Sequence, residues 1–221
     1  MPKIYLIMGY DYNKLLDLES EANKLEIPKS LDLSKKIDDF PTKPKKIWLP
    51  RIYLTEVTRV NFRRAALSME AYRETFQKSQ NRDLNPYEQF YWIDKYVCNA
   101  LSIYFFGTSA LYATKNLCEE IRKENNQPVE QLETLRQKNN DWIKNHFIYI
   151  RDKLIAHANC LTEGGNEFSS AGSGGVITFK IFNIVDEKVK EEIGFAPNSD
   201  FFELNNYLNS VFEILYKIWN I

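Results

Sequence analysis

The positions of the prolines constrain the fold of this 221-residue chain more than any other feature. Four of them fall within 23 residues: Pro28, Pro41, Pro44 and Pro50. One continuous helix is excluded there, because proline lacks an amide hydrogen and clashes with the preceding turn. Pro86 and Pro128 instead precede long segments without proline, and proline is tolerated in a first helical turn. The sequence therefore predicts long helices that start after these prolines.

The spacing of the apolar residues agrees with a helical fold. Five segments have apolar residues at the three- and four-residue intervals of an amphipathic helix: 12–26, 52–79, 86–126, 128–160 and 200–220. Asn85 is the expected cap of the third. Residues 90–107 are apolar nearly all round, which predicts burial in a bundle core or in a subunit interface. Gly107 is the expected point of a kink or break.

A short β element is predicted near the C-terminus. Gly and Ser dominate residues 164–175, which predicts a flexible loop. The β-branched and aromatic residues of 176–185 then predict a strand. Residues 4–8 are apolar and fit either a strand or the start of a buried helix. The predicted fold class is mostly α, a bundle of long antiparallel helices in a single domain of residues 1–221. Residues 1–51 form an N-terminal extension with a basic, proline-rich connection, most simply a solvated linker.

Composition limits the classes of function. The formal net charge of −1 argues against a broad non-specific nucleic-acid footprint, which needs many cations, but permits a local site. Cys98, Cys118 and Cys160 are odd in number and lack CxxC spacing, so we expect no metal site and no disulfide framework. The apolar run at the N-terminus is too short for a secretory signal or a membrane span. We expect a cytoplasmic protein with no membrane association and no cofactor.

The strongest chemical signal is the run YIRDKLIAHAN, residues 149–159. It places His157, one of two histidines, six residues after Arg151. At 100° per residue, an apolar stripe of roughly 80° forms the packed face: Ile143, Phe147, Ile150, Leu154, Ala158 and Leu161. Arg151 and His157 lie about 60° to either side of its centre, and Asp152 points away.

The two groups are thus roughly 9 Å apart along the helix axis and about 120° apart around it. They meet only if Arg151 reaches over, if the helix ends near His157, or if a second copy of the chain completes the site. Lys153 lies on the same side as His157, where its charge favours the neutral imidazole.

The pattern Arg151-Asp152-x4-His157 resembles the motif of HEPN domains (higher eukaryotes and prokaryotes nucleotide-binding domains), in particular abortive-infection and toxin-like branches. The resemblance covers about ten residues in detail, and five residues separate Arg151 from His157 where four are commonest. It implies a metal-independent endoribonuclease whose site forms at a homodimer interface. Arg151 would hold the scissile phosphate, His157 would act as general base or acid, and Asp152 and Lys153 would be accessory. It also implies RNA as substrate and a cognate antitoxin as partner.

The chemistry of RNA cleavage suits these residue types, because it needs a proton acceptor, a proton donor and a fixed positive charge at the phosphate. The patch of Arg59, Arg63 and Arg64 either contacts RNA phosphates or is an ordinary solvated helix face.

Three other interpretations stay open. The chain is a non-catalytic helical interaction module whose aromatic helix builds an interface. Alternatively, it binds a nucleotide or accepts a nucleotidyl group on Tyr149, although no phosphate-binding loop is present. Finally, Arg151 and Asp152 are ordinary surface charges, with His157 stabilising a helix C-terminus.

Overall fold

Helices dominate the structure, a computed structural model that describes residues 12–27, 49–125, 129–152, 168–183 and 188–219. The elements are α1 (Tyr12–Asn23), α2 (Leu49–Ser79), α3 (Pro86–Asn125), α4 (Glu130–Trp142), a π-helical segment (Ile143–Ile148), α5 (Tyr149–Arg151), β1 (Phe168–Ser173), β2 (Val176–Asn183), β3 (Lys188–Phe195) and α6 (Pro197–Trp219). The predicted mostly helical fold with a small β element is confirmed.

The centre of the fold is the pair α2 and α3. Residues 80–85 join them, and so short a connection makes the two helices antiparallel neighbours. Asn85 caps α3 as predicted: its Oδ1 accepts a hydrogen bond from the Glu88 amide at 3.0 Å, and Glu88 Oε2 accepts one from the Asn85 amide at 3.1 Å. Both helices contribute fully buried side chains to one core, among them Phe62, Met69, Ile103 and Tyr104.

One expectation for α3 is wrong. The helix runs unbroken through Gly107, because the absent side chain there makes room for a neighbouring ring rather than for a bend. Burial of α3 on all sides does not occur within one chain, so of the two predicted environments the subunit interface stays a prediction. Five aromatic side chains remain exposed on it: Tyr87, Phe90, Tyr91, Phe105 and Tyr112. At 100° per residue they share an arc of roughly 100°, and we call this surface the aromatic face.

The β element is larger than predicted. Three antiparallel strands pair in the order β1-β2-β3. The expected strand at 176–185 is confirmed as β2, but the expected flexible loop is wrong for residues 168–173, which form β1. Gly174 and Gly175 have φ of 58° and 89° and make a two-residue hairpin turn, so the glycines end a strand rather than continue a loop. The residue pattern of the sequence did not predict β3.

Helices α6 and α1 pack on different apolar clusters. α6 buries Phe201, Leu204 and Leu208 in the main core, whereas Leu15 of α1 lies in a smaller cluster beside β2. α1 buries Leu15 and Ala22, but it ends at Asn23, so Leu25 lies beyond the helix and is exposed. The single-domain boundary and the role of residues 1–51 as an extension stay predictions.

Several predicted features lie outside the described residues: the apolar run 4–8, the proline-rich connection over 28–48, residues 164–167, and the part of the fourth helical segment beyond Asp152, with Lys153 and His157. In the part of the chain that is described, no helix combines the length and the apolar character needed to cross a membrane.

Candidate functional site

Arg151 lies at the end of the last described turn of the fourth helical segment. Its Nε is 3.0 Å from Asp152 Oδ1, an ion pair between sequence neighbours. Its guanidinium carbon is 5.8 Å from the ring centre of Tyr112 on α3, close enough for a cation–π contact. The Arg151 side chain is 23% exposed. It is therefore held between a carboxylate and an aromatic ring while still open to a ligand.

The π-helical segment just before Arg151 fixes the register of this region. Phe147 and Ile150 are fully buried, as the predicted packed face requires. A Cβ atom on Gly107 would come within 2.6 Å of the Phe147 ring, so the glycine allows this segment to pack directly on α3. Hydrogen bonds of the π type change the number of residues per turn, so the uniform 100° step does not hold over residues 143–148. Such segments are frequent at functional sites.

A groove between α3 and α4 leads away from Arg151, and we call it the basic groove. It consists of two cavities, of about 590 and 510 Å³, whose linings share Lys115, Arg136 and Tyr207. Tyr112 and Ile148 line the larger cavity, so this end of the groove adjoins Arg151. The groove has five cationic lining residues: Lys115, Arg122, Lys123, Arg136 and Lys144.

Among the described residues, two carboxylates line the basic groove, and both are in the smaller cavity. Glu119 lies 3.7 Å from Lys115, and Glu133 lies 3.0 Å from Arg136. Exposed pairs of this kind contribute little and leave the cations available to an anionic ligand. The larger cavity has three cations and no acidic lining residue among those described. The groove therefore has a positive local field in a chain of net charge −1.

The arginines predicted as RNA contacts occupy a different surface. Arg59 pairs with Glu56 through two nitrogens, and Arg64 lies 5.6 Å from the centre of the Phe106 ring. Arg63 is exposed. None of the three is among the described residues that line the basic groove. Their role in RNA binding stays a prediction.

A buried triad of polar side chains was missed by the sequence analysis. His146 Nε2 lies 2.8 Å from Asp200 Oδ1, and the Tyr104 hydroxyl donates to Asp200 Oδ2 at 2.5 Å. Burial alone lowers the pKa of His146, but the charge and hydrogen bond of Asp200 outweigh burial, so the pKa is raised. A cavity of about 320 Å³ adjoins the pair and is also lined by Lys14 and Glu203.

Glu19 is a second buried polar group without a local sequence signal. Its Oε2 accepts hydrogen bonds from the Asn198 and Ser199 amides at 2.9 and 3.2 Å, which satisfies donors of the first turn of α6. Burial nevertheless raises the pKa of Glu19 to about 8. Tyr72 lies 3.1 Å away and donates to the Gly175 carbonyl at 2.6 Å. Glu19 thus joins α1, α2 and α6 and has a structural role.

Arg73 completes the attachment of α1. Its guanidinium donates to the Ala22 and Leu25 carbonyls at 2.9 and 2.7 Å, where α1 ends, and its Nε donates to Asn198 Oδ1 at 2.6 Å. Because Arg73 fixes the amide orientation of Asn198, the Asn198 Nδ2 donates to Glu19. The C-terminal half of α1 is therefore tied to α6, directly through Glu19 and indirectly through Arg73 of α2.

The described residues contain no cluster of three or more His, Cys, Asp or Glu that could hold a metal ion. Cys98 is exposed, whereas burial raises the pKa of the Cys118 thiol, in the wall of the basic groove, to about 12. Tyr149 is half-buried against the core.

Comparison with protein-family models, with curated protein sequences and with solved structures gives no match to this chain. The resemblance to HEPN domains therefore rests on the motif around Arg151 and His157.

Proposed function

We propose that this chain is a metal-independent endoribonuclease of the toxin or phage-defence type, acting in the cytoplasm as a homodimer through Arg151 and His157. The observation that carries the proposal is the position of Arg151 at the end of the basic groove, beside Tyr112. This position favours a binding role over that of an ordinary surface charge, because the described lining of the adjoining cavity has three cations and no carboxylate. A cognate antitoxin is the expected partner that keeps such an enzyme inactive.

The proposed roles follow from the side chains. Arg151 binds the scissile phosphate, because its guanidinium keeps its charge and presents two parallel donors to two phosphate oxygens. His157 accepts the proton of the 2′-hydroxyl or protonates the leaving oxygen. Asp152 orients Arg151 through the 3.0 Å ion pair, and Lys153 favours the neutral form of His157. The products are a 2′,3′-cyclic phosphate and a 5′-hydroxyl.

A second copy of the chain supplies what one helix lacks. A regular helix would separate Arg151 and His157 by roughly 120°, and of the ways to bring the two groups together we propose that His157 of one copy meets Arg151 of the other. Tyr112 supports this arrangement, because it belongs to the exposed aromatic face and also contacts Arg151. A dimer formed on the aromatic face would therefore bring Arg151 to the interface.

Cleavage of a mixed RNA pool in EDTA tests the proposal. The parent protein is expected to leave 2′,3′-cyclic ends, and His157→Ala is expected to lose at least about a hundredfold in rate, in the range of a general acid or base. Arg151→Lys keeps the positive charge but loses the two parallel donors of the guanidinium, so the cleavage rate is expected to fall about tenfold or more. Lys138→Ala, an exposed change on α4, is the control. Cleavage that survives His157→Ala would contradict the assignment.

The second candidate function is a non-catalytic interaction module. The aromatic face favours it, because five exposed aromatic side chains on one helix are typical of a protein–protein interface. Under this hypothesis the folded parent protein binds a partner without cleaving any RNA, and His157→Ala leaves that binding unchanged. The EDTA assay with His157→Ala therefore separates the two candidates.

A further inference from the structure

We propose that the basic groove binds one single strand of RNA and guides it to Arg151. The strand would run from Arg122 past Lys115 and Arg136 to Tyr112. The identity of the sugar, RNA rather than DNA, rests on the proposed function; the groove and its preference for a single strand rest on the structure alone.

Charge is the first argument. The described lining of the basic groove has five cations and two carboxylates, and the cations belong to both cavities rather than to one. Arg122 and Lys144, at opposite ends, have no ion-pair partner among the described residues. A linear polyanion matches such a row of cations, whereas one phosphate would use only part of it.

Shape and aromatic content favour a single strand over a duplex. The two adjoining cavities have the size of ligand sites that enclose one extended molecule, and both are concave clefts between helices. Tyr112 is 43% exposed at the Arg151 end, where a base can stack on its ring. Duplex bases are already stacked on one another and cannot reach such a ring, whereas unpaired bases can.

The groove also fits RNA better than the arginine patch of α2 does. Arg59 is held by Glu56, and Arg64 lies against Phe106, so binding RNA there would disturb existing contacts. Lys144, in the larger cavity, has no ion-pair partner among the described residues, and Lys115 has only the loose 3.7 Å contact with Glu119. A strand in the basic groove would therefore reach the proposed catalytic residues directly.

Binding of an uncleavable probe tests this inference separately from catalysis. The probe is a fluorescein-labelled RNA of about 12 nucleotides, within the range of single-strand site sizes, with 2′-O-methyl riboses that block cleavage. Anisotropy in EDTA over a range of salt concentrations gives Kd and its salt dependence. The double variant Lys115→Glu/Lys144→Glu changes two exposed residues and is expected to weaken binding at least about tenfold. The slope of the logarithm of the binding constant against the logarithm of the salt concentration should become shallower by about 1.4, which is about 0.7 for each lost phosphate contact.

Two matched controls make the same charge reversal elsewhere. Lys138→Glu is on the same helix as Arg136 but outside the groove lining, and Arg63→Glu tests the α2 patch. Both are expected to keep Kd within about twofold, because distant surface charges are largely screened at 0.1 M salt. Circular dichroism confirms that each variant is folded.

The inference is overturned if the double variant of the groove binds the probe like the parent protein. It is also overturned if Arg63→Glu weakens binding as much as the double variant does, or if a duplex of the same sequence binds as tightly as the single strand. Displacement of the probe by a mononucleotide at the same concentration as the oligonucleotide would also overturn the inference, because such competition would indicate a site for a small ligand. Specific binding of the probe without cleavage of natural RNA would support the groove and refute only the nuclease.

Discussion

At the scale of single residues, the buried carboxyl of Glu19 shows two opposing effects. The backbone amides of α6 favour its charged form, and removal from water favours its neutral form. Burial is the larger effect, because the pKa is raised from 4.5 to about 8. The folded state therefore binds a proton that the unfolded state releases above pH 4.5.

This difference predicts a pH-dependent stability. The contribution of Glu19 is full below the unfolded pKa and is lost as the pH rises through about 8, by at most about 1.4 kcal/mol for each pH unit between these values. In Glu19→Gln this group no longer titrates. Urea unfolding at several pH values is expected to give a curve of free energy against pH that falls less steeply than that of the parent protein. Glu21→Gln, an exposed change on α1, should leave the slope unaltered, and an unaltered slope in Glu19→Gln would refute the prediction.

The His146–Asp200 pair gives a second prediction. Asp200→Asn removes the charge that raises the pKa of His146 but leaves the burial that lowers it. We expect the pKa of His146, followed by NMR titration, to fall below its ordinary value of 6.5. The variant also loses stability at low pH, because a raised histidine pKa stabilises the fold below 6.5 and this stabilisation disappears as the pH rises through the folded value. Glu203→Gln, which lines the same cavity, is the control; an unchanged His146 titration in Asp200→Asn would rule out the pairing.

Neither buried network was predictable from the sequence. His146 and Asp200 are 54 positions apart, and Glu19 and Asn198 are 179 apart, so no local spacing links them. Arg151 could be identified as a candidate site residue because its motif lies within one short run of the sequence. Its contact with Tyr112 depends on how α3 packs, which periodicity does not determine.

At the scale of elements, segments with a strong local pattern were predictable and segments with a weak one were not. α2, α3 and α6 repeat the helical pattern over many turns, and β2 is rich in β-branched residues. β1 reads FSSAGS and β3 reads KVKEEIGF, compositions typical of loops and surfaces. Both form because β2 offers a partner backbone on each edge, a tertiary effect that outweighs weak local propensity.

Gly107 gives a prediction at this scale. Alanine is the better helix former by about 1 kcal/mol, but its Cβ would lie 2.6 Å from the Phe147 ring and 2.9 Å from Leu204 Cδ2. The clash is expected to dominate, and Gly107→Ala should reduce the free energy of unfolding by about 1–3 kcal/mol. Adding Phe147→Leu should recover part of the loss in a double-mutant cycle. A Gly107→Ala protein that is more stable than the parent would show that helix propensity dominates instead.

At the scale of the whole molecule, the basic groove and the aromatic face meet at Tyr112. The groove supplies positive charge in a chain that is nearly neutral overall. The aromatic face runs over much of α3, whose 40 residues span about 60 Å at 1.5 Å per residue. One surface can therefore bind a substrate while the adjoining one binds a second copy. Under the proposed function, dimerisation and catalysis are coupled.

This coupling gives the last prediction. Tyr91→Lys/Phe105→Lys places two charges on the aromatic face without altering Arg151, His157 or the groove lining. Sedimentation at several concentrations should show a dimer for the parent protein and a monomer for the variant, because buried unpaired charges oppose association. RNA cleavage should fall by at least about tenfold in parallel, while the uncleavable probe still binds. Leu67→Lys, at an apolar position of α2 that is 55% exposed, is the matched control and should stay dimeric and active. A monomeric variant with full activity would place the complete active site within one chain.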